Sequence, residues 1–288
     1  MRTRNPQREV SRWRRLRPVV FMAALAIVPA FGQQLEDRST EHKSFAGVTE
    51  LILDNVTGAI EVSGSTGGSV EVDIEKTLRA RTQDRMALAK KEVVLSETQQ
   101  GGLVRLVVDG PFRCGNGTCF HGGQVYEFEY NFKVKVPRNI NLDLRTVNHS
   151  HILVQGTSGE FKVSNVNGGI DMVDVEGSGS VHTVNGPVKV TFARNPSGAT
   201  SFKSVNGTLD VSFRNGLNAD VKMKTMNGGM YTDFPVSPMP IAASQPEHRD
   251  GKFLYRTHGM TGARIGSGGT ELTFETLNGE VLIKNREK

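Results

Sequence analysis

Thr146-Val147-Asn148-His149, Asn165-Val166-Asn167-Gly168, Thr183-Val184-Asn185-Gly186, Ser204-Val205-Asn206-Gly207 and Thr225-Met226-Asn227-Gly228 are five versions of one phrase, their asparagines 19, 18, 21 and 21 residues apart. A period near twenty is too short for a pair of helices and suits two strands with two turns. The surroundings repeat as well. Four residues before each asparagine stand Leu144, Val163, Val181, Phe202 and Met223, and three after come Ile170, Val188 and Leu209. Apolar residues alternating with period two on both sides of Asn-Gly are the pattern of half-buried strands. Asn-Gly is expected to supply the positive φ of a tight turn. Each unit therefore reads strand, sharp turn, strand.

Two architectures fit. An antiparallel β-meander would make each Asn-Gly a hairpin tip. A parallel β-solenoid, like a right-handed β-helix with coils of about twenty residues, would stack equivalent residues at the strand spacing. The apolar residue before each asparagine suggests a corner pointing inward, and stacked amides gain hydrogen bonds that isolated hairpins lack. The expected fold is thus an all-β parallel solenoid, with Asn148, Asn167, Asn185, Asn206, Asn227 and Asn278 as a structural turn ladder. Position three before asparagine is polar, and Arg145, His182, Lys203 and Lys224 would form a basic column facing solvent. Such a column is a contact face for an acidic glycan or a lipid head group.

Residues 1–32 read as an export signal. Seven arginines and one glutamate precede Pro18, an apolar run covers Val19 to Val28, and Ala30-Phe31-Gly32 offers the small residues of a cleavage site. The apolar run is too short for a membrane span. Without this segment the formal charge of +5 becomes 28 basic against 29 acidic residues, a net charge of −1. Nucleic-acid binding then has no electrostatic footprint. The expected organisation is a flexible mature N-terminus over 33–44 and a single domain over 45–288, with an irregular loop at 231–269 where four prolines exclude regular pairing. The protein is expected to be exported to the periplasm, cell surface or medium, and not to be integral to the membrane.

Thr57-Gly58, with Leu51 and Leu53 before it and Ile60 and Val62 after it, is an early unit in disguise. Val70–Ile74, Leu103–Val108 and Tyr126–Val136 alternate as strands. One short helix is expected over Thr82–Val93, with Thr82 as N-cap. The only two cysteines, Cys114 and Cys119, flank a glycine-rich turn, and in an oxidising compartment they are expected to form a disulfide. Adding His121 gives only a partial metal site. His149, His151 and His182 could be stacked within reach of a metal, yet His151 falls on the inward offset, where a bulge or a core histidine is commoner.

The run Tyr126 to Pro137, then Asn141 to Asn148, the Asn-Gly units, and the ending Gly268 to Lys284 with Thr276-Leu277-Asn278-Gly279 together resemble the bacterial exported β-repeat proteins usually labelled "putative adhesins". The resemblance covers nearly all of the mature chain. It implies a β-solenoid outside the cytoplasmic membrane and brings no catalytic residues, cofactor or metal with it. His149 departs from the glycine at that corner.

A carbohydrate-active β-helix enzyme, a polysaccharide lyase or hydrolase, is the alternative. It needs clustered carboxylates. Asp171, Asp174 and Glu176 are the best local group, but Lys189 separates Asp171 from Asp210 along the stack. The expectation is therefore a non-enzymatic structural or adhesin-like protein whose partner is an envelope glycan or protein, with self-association through its end coils.

Overall fold

The structure, a computed structural model, describes residues 34–113, 126–148, 151–240, 247–249, 252–254 and 259–287. The expected signal, the Cys114–Cys119 pair, His121 and His149 lie outside the described residues. Strands β1 (Leu35–Ala46), β2 (Glu50–Asp54), β3 (Ile60–Ser65) and β4 (Ser69–Ala80) lead into helix α1 (Gln83–Glu92). After it come β5 (Val94–Gln100), β6 (Leu103–Asp109), β7 (Tyr126–Pro137), β8 (Asn141–Arg145), β9 (Ile152–Gln155) and β10 (Phe161–Ser164). The repeated units supply β11 (Ile170–Val175), β12 (Gly179–His182), β13 (Val188–Phe192), β14 (Thr200–Lys203), β15 (Leu209–Phe213), β16 (Ala219–Lys224) and β17 (Met230–Thr232). The last are β18 (Val236–Met239), β19 (Glu247–Arg249), β20 (Lys252–Leu254), β21 (Thr261–Ile265), β22 (Thr270–Glu275) and β23 (Val281–Asn285).

These strands form two large mixed sheets and a small antiparallel pair, β19 with β20. The ten-stranded sheet runs β1-β4-β7-β3-β9-β11-β13-β15-β23-β17, and the eleven-stranded sheet runs β18-β21-β16-β22-β14-β12-β10-β8-β2-β6-β5. This overturns the expected parallel β-solenoid, and the β-meander with it. In the middle of each sheet parallel ladders hold equivalent residues in register, as where Val163 faces Val181 and Val181 faces Phe202. Toward the edges the pairing turns antiparallel: β1 on β4, β4 on β7, β5 on β6, and β21 between β16 and β18. The order also departs from the chain. Strand β22 lies between β14 and β16, and β23 between β15 and β17. A local repeat specifies strand and corner but not partner, so the last unit enters the stack ahead of the one that precedes it in sequence.

Two of the stretches without a repeat also contain paired strands. Most of the polar stretch over 33–44 falls in β1, which pairs with β4 from Leu35 to Ala46. Its side chains are anchored by charge, with Glu36 held by Arg38 and Arg79 and Lys43 by Glu97. Within 231–269, β18 contains Pro238 and pairs with β21. Proline is tolerated there because β18 is an edge strand, where no outer neighbour needs its missing N–H.

The core lies between the two sheets. Phe192 and Phe213 of one stack at 5.2 Å, Phe202 and Phe274 of the other at 5.0 Å, and Phe192 meets Phe202 edge-on at 6.3 Å. All four are fully buried. Helix α1 begins at Thr82, whose hydroxyl accepts from the Arg85 N–H, and it buries only Met86 and Ala89. Lys76 donates to the Val93 carbonyl beyond its end at 2.7 Å.

Truncating Phe202 to Ala removes a ring from the centre of this file and is expected to cost about 3–5 kcal/mol, read by urea unfolding. Lys189→Ala, on an exposed position, should stay within about 0.5 kcal/mol. Burial raises the Tyr130 hydroxyl above its ordinary 10.0, with the nearby Glu41 charge adding to the shift. The folded state therefore keeps this proton where the unfolded state releases it, so stability falls as pH rises above 10.0. Tyr130→Phe should make that alkaline loss shallower in denaturation curves taken across the range.

Candidate functional site

Each residue of the repeated phrase has a separate physical task. The first carries a buried polar side chain that reaches the preceding corner of the stack: Thr183 donates to the Gly168 carbonyl at 2.9 Å, Ser204 to Gly186 at 3.1 Å, and Thr276 to Gly207 at 3.0 Å. Asparagine side chains bond along the file. Asn167 donates to Asn148 at 3.1 Å, Asn185 to Asn167 at 2.8 Å, Asn206 to Asn185 at 2.8 Å, Asn278 to Asn206 at 2.7 Å, and Asn227 to Asn278 at 2.7 Å. The glycine is needed for space. A Cβ on Gly207 would lie 1.9 Å from the Gly186 carbonyl oxygen, and one on Gly228 2.0 Å from that of Gly279. Positive φ, the reason expected from sequence, is found at neither glycine and at none of these asparagines.

The residue before asparagine, expected to point inward, is only half-buried from Val147 to Val205. It becomes exposed at Leu277 and Met226, the latter 68% exposed. Met230, Tyr231 and Val236 continue this apolar exposure onto β17 and β18, the last strands of their sheets.

The four basic residues lie on one file across the outer face of the eleven-stranded sheet. In register order the file reads Asp54, Arg145, Ser164, His182, Lys203, Glu275 and Lys224. It is less uniformly basic than the repeat suggests. Arg145 is held by Asp143 through two bonds of 2.9 and 2.7 Å, which raise its pKa. Lys203 meets Glu275 at 3.1 Å. Inserted β22 places Glu275 between Lys203 and Lys224, an insertion that the local repeat does not encode.

At the centre of this face β10, β12 and β14 present Lys162 and Ser164, Ser180 and His182, and Ser201 and Lys203. These three strands carry hydroxyls and bases there and no carboxylate. Beside them a groove of about 490 Å³ is lined by Asp143, Glu160, Lys162, Ser178 and Gly179 among others. Gly179 keeps its floor low, since a Cβ there would meet the Phe161 carbonyl at 1.8 Å.

His151 is turned outward and sits 3.2 Å from Asp171, while Ile152 takes the inward position against Ile170. One extra residue after Asn148 accounts for the change. Asp171, Lys189 and Asp210 lie side by side in that order, and Lys284 holds Asp210 at 2.7 Å. Asp174 has φ +54 at an irregularity of β11, the only non-glycine residue with positive φ among those described. Arg286 pairs with it, and Arg194 lies 3.4 Å from Glu176.

No protein-family model matches this chain, and no curated protein matches it. Among solved structures, a "putative cell adhesion protein" from Clostridium sporogenes ATCC 15579 aligns over 87% of this chain and 100% of its own, at 11% identity and a TM-score of 0.37. A "putative adhesin" from Bacteroides fragilis NCTC 9343 aligns over 86% and 97%, at 9% identity and TM-score 0.31. A "putative lipid binding protein" from Parabacteroides distasonis ATCC 8503 aligns over 86% and 96%, at 10% and 0.28.

Asn206 bonds to amides on both sides, whereas Asn227 bonds at the end of the file to Asn278 alone. Asn206→Ala should therefore cost about 1–2 kcal/mol and Asn227→Ala about half as much, compared by chemical denaturation. Equal losses would mean that turn preference, not the file of amides, is what these residues contribute.

Proposed function

We propose that this chain is an exported, non-enzymatic binding protein of the cell envelope, with an adhesive or structural role. Its contact surface is the outer face of the eleven-stranded sheet. The observation that carries this reading is the shelf on β10, β12 and β14, where serine hydroxyls alternate with Lys162, His182 and Lys203 in register. Parallel strands set such groups at intervals of about 4.8 Å. A flat anionic partner, an acidic glycan or a lipid head-group layer, can then accept several bonds at once. Short serines keep the surface low, and the adjoining groove gives a polymer an edge to lie against. Among the described residues no helix is long and apolar enough to cross a membrane.

The enzymatic alternative finds less support. A glycosidic acid needs apolar surroundings that keep one carboxyl protonated. Asp174 and Glu176 are instead each engaged by a guanidinium, and their side chains are 50% and 32% exposed. Self-association is assigned to the end where Met226, Met230, Tyr231 and Val236 are exposed, in contrast to the charge-studded edge strand β1.

Co-sedimentation with phosphatidylglycerol vesicles and retention on dextran sulfate, with neutral dextran as control, test the proposal. Wild-type protein should bind both anionic supports and be released as salt screens the contact. Reversing two charges in Lys162→Glu/Lys203→Glu should weaken binding about ten-fold or more. Unchanged binding by that variant would remove this face from consideration.

A further inference from the structure

A second cavity, apart from the sheet face, lies where the strands of the ten-stranded sheet end. Its volume is about 730 Å³, within the range of small-molecule sites. Three arginines, Arg138, Arg214 and Arg286, line it together with two carboxylates, Asp174 and Glu176. The ion pairs use most of this charge. Arg286 is taken by Asp174 and by the Phe192 carbonyl at 3.2 Å. Arg214 is taken by Glu287 at 2.9 Å, and Glu176 by Arg194. Arg138 alone of the lining arginines has no side-chain partner among the described residues.

The backbone around Arg138 is nevertheless fixed. Its N–H donates to the Ser65 carbonyl at 3.2 Å, and its own carbonyl accepts from the Ser158 N–H at 2.7 Å and hydroxyl at 3.2 Å. The loops behind it are bonded one to the next, Gly156 to Val173 and Glu176 to Thr157. The cradle also depends on a missing side chain, because a Cβ on Gly64 would fall 2.0 Å from the Gly156 carbonyl. Asp174 holds its left-handed conformation at this cavity. Strain of this kind costs about 1–3 kcal/mol and persists where its surroundings enforce it.

We infer that this cavity is a binding site for a carboxylated sugar, a uronate at the end of or within a glycan. A free guanidinium recognises a carboxylate through two parallel bonds. The sugar hydroxyls then find two kinds of partner, carboxylate acceptors in Asp174 and Glu176 and the polar groups of Ser63, Gln155 and Thr157. Phosphate or sulfate fits less well. Sulfate carries no hydroxyl and hydrogen phosphate one or two, against the several of a uronate that can be shared among Ser63, Gln155, Thr157 and the two carboxylates. Among the described residues no aromatic ring lines the cavity, so a neutral sugar would lack the stacking face that could replace the charge.

Isothermal titration of the purified protein with digalacturonate tests the inference, with cellobiose and inorganic phosphate as comparison ligands. Digalacturonate should bind, with cellobiose and phosphate much weaker. Arg138→Ala, a change at an exposed side chain, should reduce affinity about ten-fold or more. In a Lys162→Glu/Lys203→Glu background, where the sheet face no longer holds an acidic glycan, Arg138→Ala should still lower digalacturonate affinity about ten-fold, so failure here is separable from failure of the sheet-face proposal. Absence of binding at millimolar digalacturonate, equal affinity in Arg138→Ala, or phosphate or cellobiose binding as tightly would each overturn the inference.

Discussion

The close passage of one corner over the next is the constraint on which the structure depends. Where Gly207 crosses Gly186, and Gly228 crosses Gly279, the carbonyl of the lower corner occupies the place a Cβ would take. That closeness lets a hydroxyl such as Thr183 or Ser204 reach the glycine carbonyl below, and it brings the asparagine amides within 3.1 Å or less of one another. Backbone, hydroxyl and amide bonds then all point along the stack. Each bond contributes modestly in net terms, but together they leave one register open to the parallel strands. Register in turn places every second side chain on the core or on the surface.

From that register follows the phenylalanine file. Phe161, Phe202 and Phe274 descend one sheet, Phe192 and Phe213 the other, and their rings meet between 5.0 and 6.4 Å. The ends of the stack are closed differently. At one end β1 and β5 expose charged and polar residues, tied together by the Lys43–Glu97 pair and by the Gln99 amide on the Ala46 carbonyl. At the other, β17 and β18 are short and leave Tyr231 and Val236 in the open. Charge on an edge strand discourages further pairing. The two ends therefore differ in what they invite.

The same geometry separates the two candidate binding regions. On the outer face of the eleven-stranded sheet the groups are regular and shallow, because strand spacing dictates their intervals. Where the strands of the ten-stranded sheet end, the chain leaves regular pairing, and arginines, carboxylates and hydroxyls gather around a cavity. The first arrangement suits an extended partner and the second a compact one. Local irregularity, as at Asp174, belongs with the second.

By itself the sequence determined the class of structure: strands of period two, corners at Asn-Gly, one helix capped by Thr82, and which residues turn inward, from Val163 and Val181 to Phe202. These are local properties, written in side chains a few residues apart. It also placed Arg145, His182, Lys203 and Lys224 on one file, because equal offsets in a repeat become neighbours when strands pair in register. Only the tertiary structure decided who pairs with whom. The insertion of β22 and β23 ahead of β16 and β17, the antiparallel margins, Glu275 among the lysines, and the meeting of Arg138 with Asp174 and Glu176 all bring together residues far apart in the chain. The free energy of those meetings resides in contacts between distant segments, which a repeated local phrase can permit but has no means to specify.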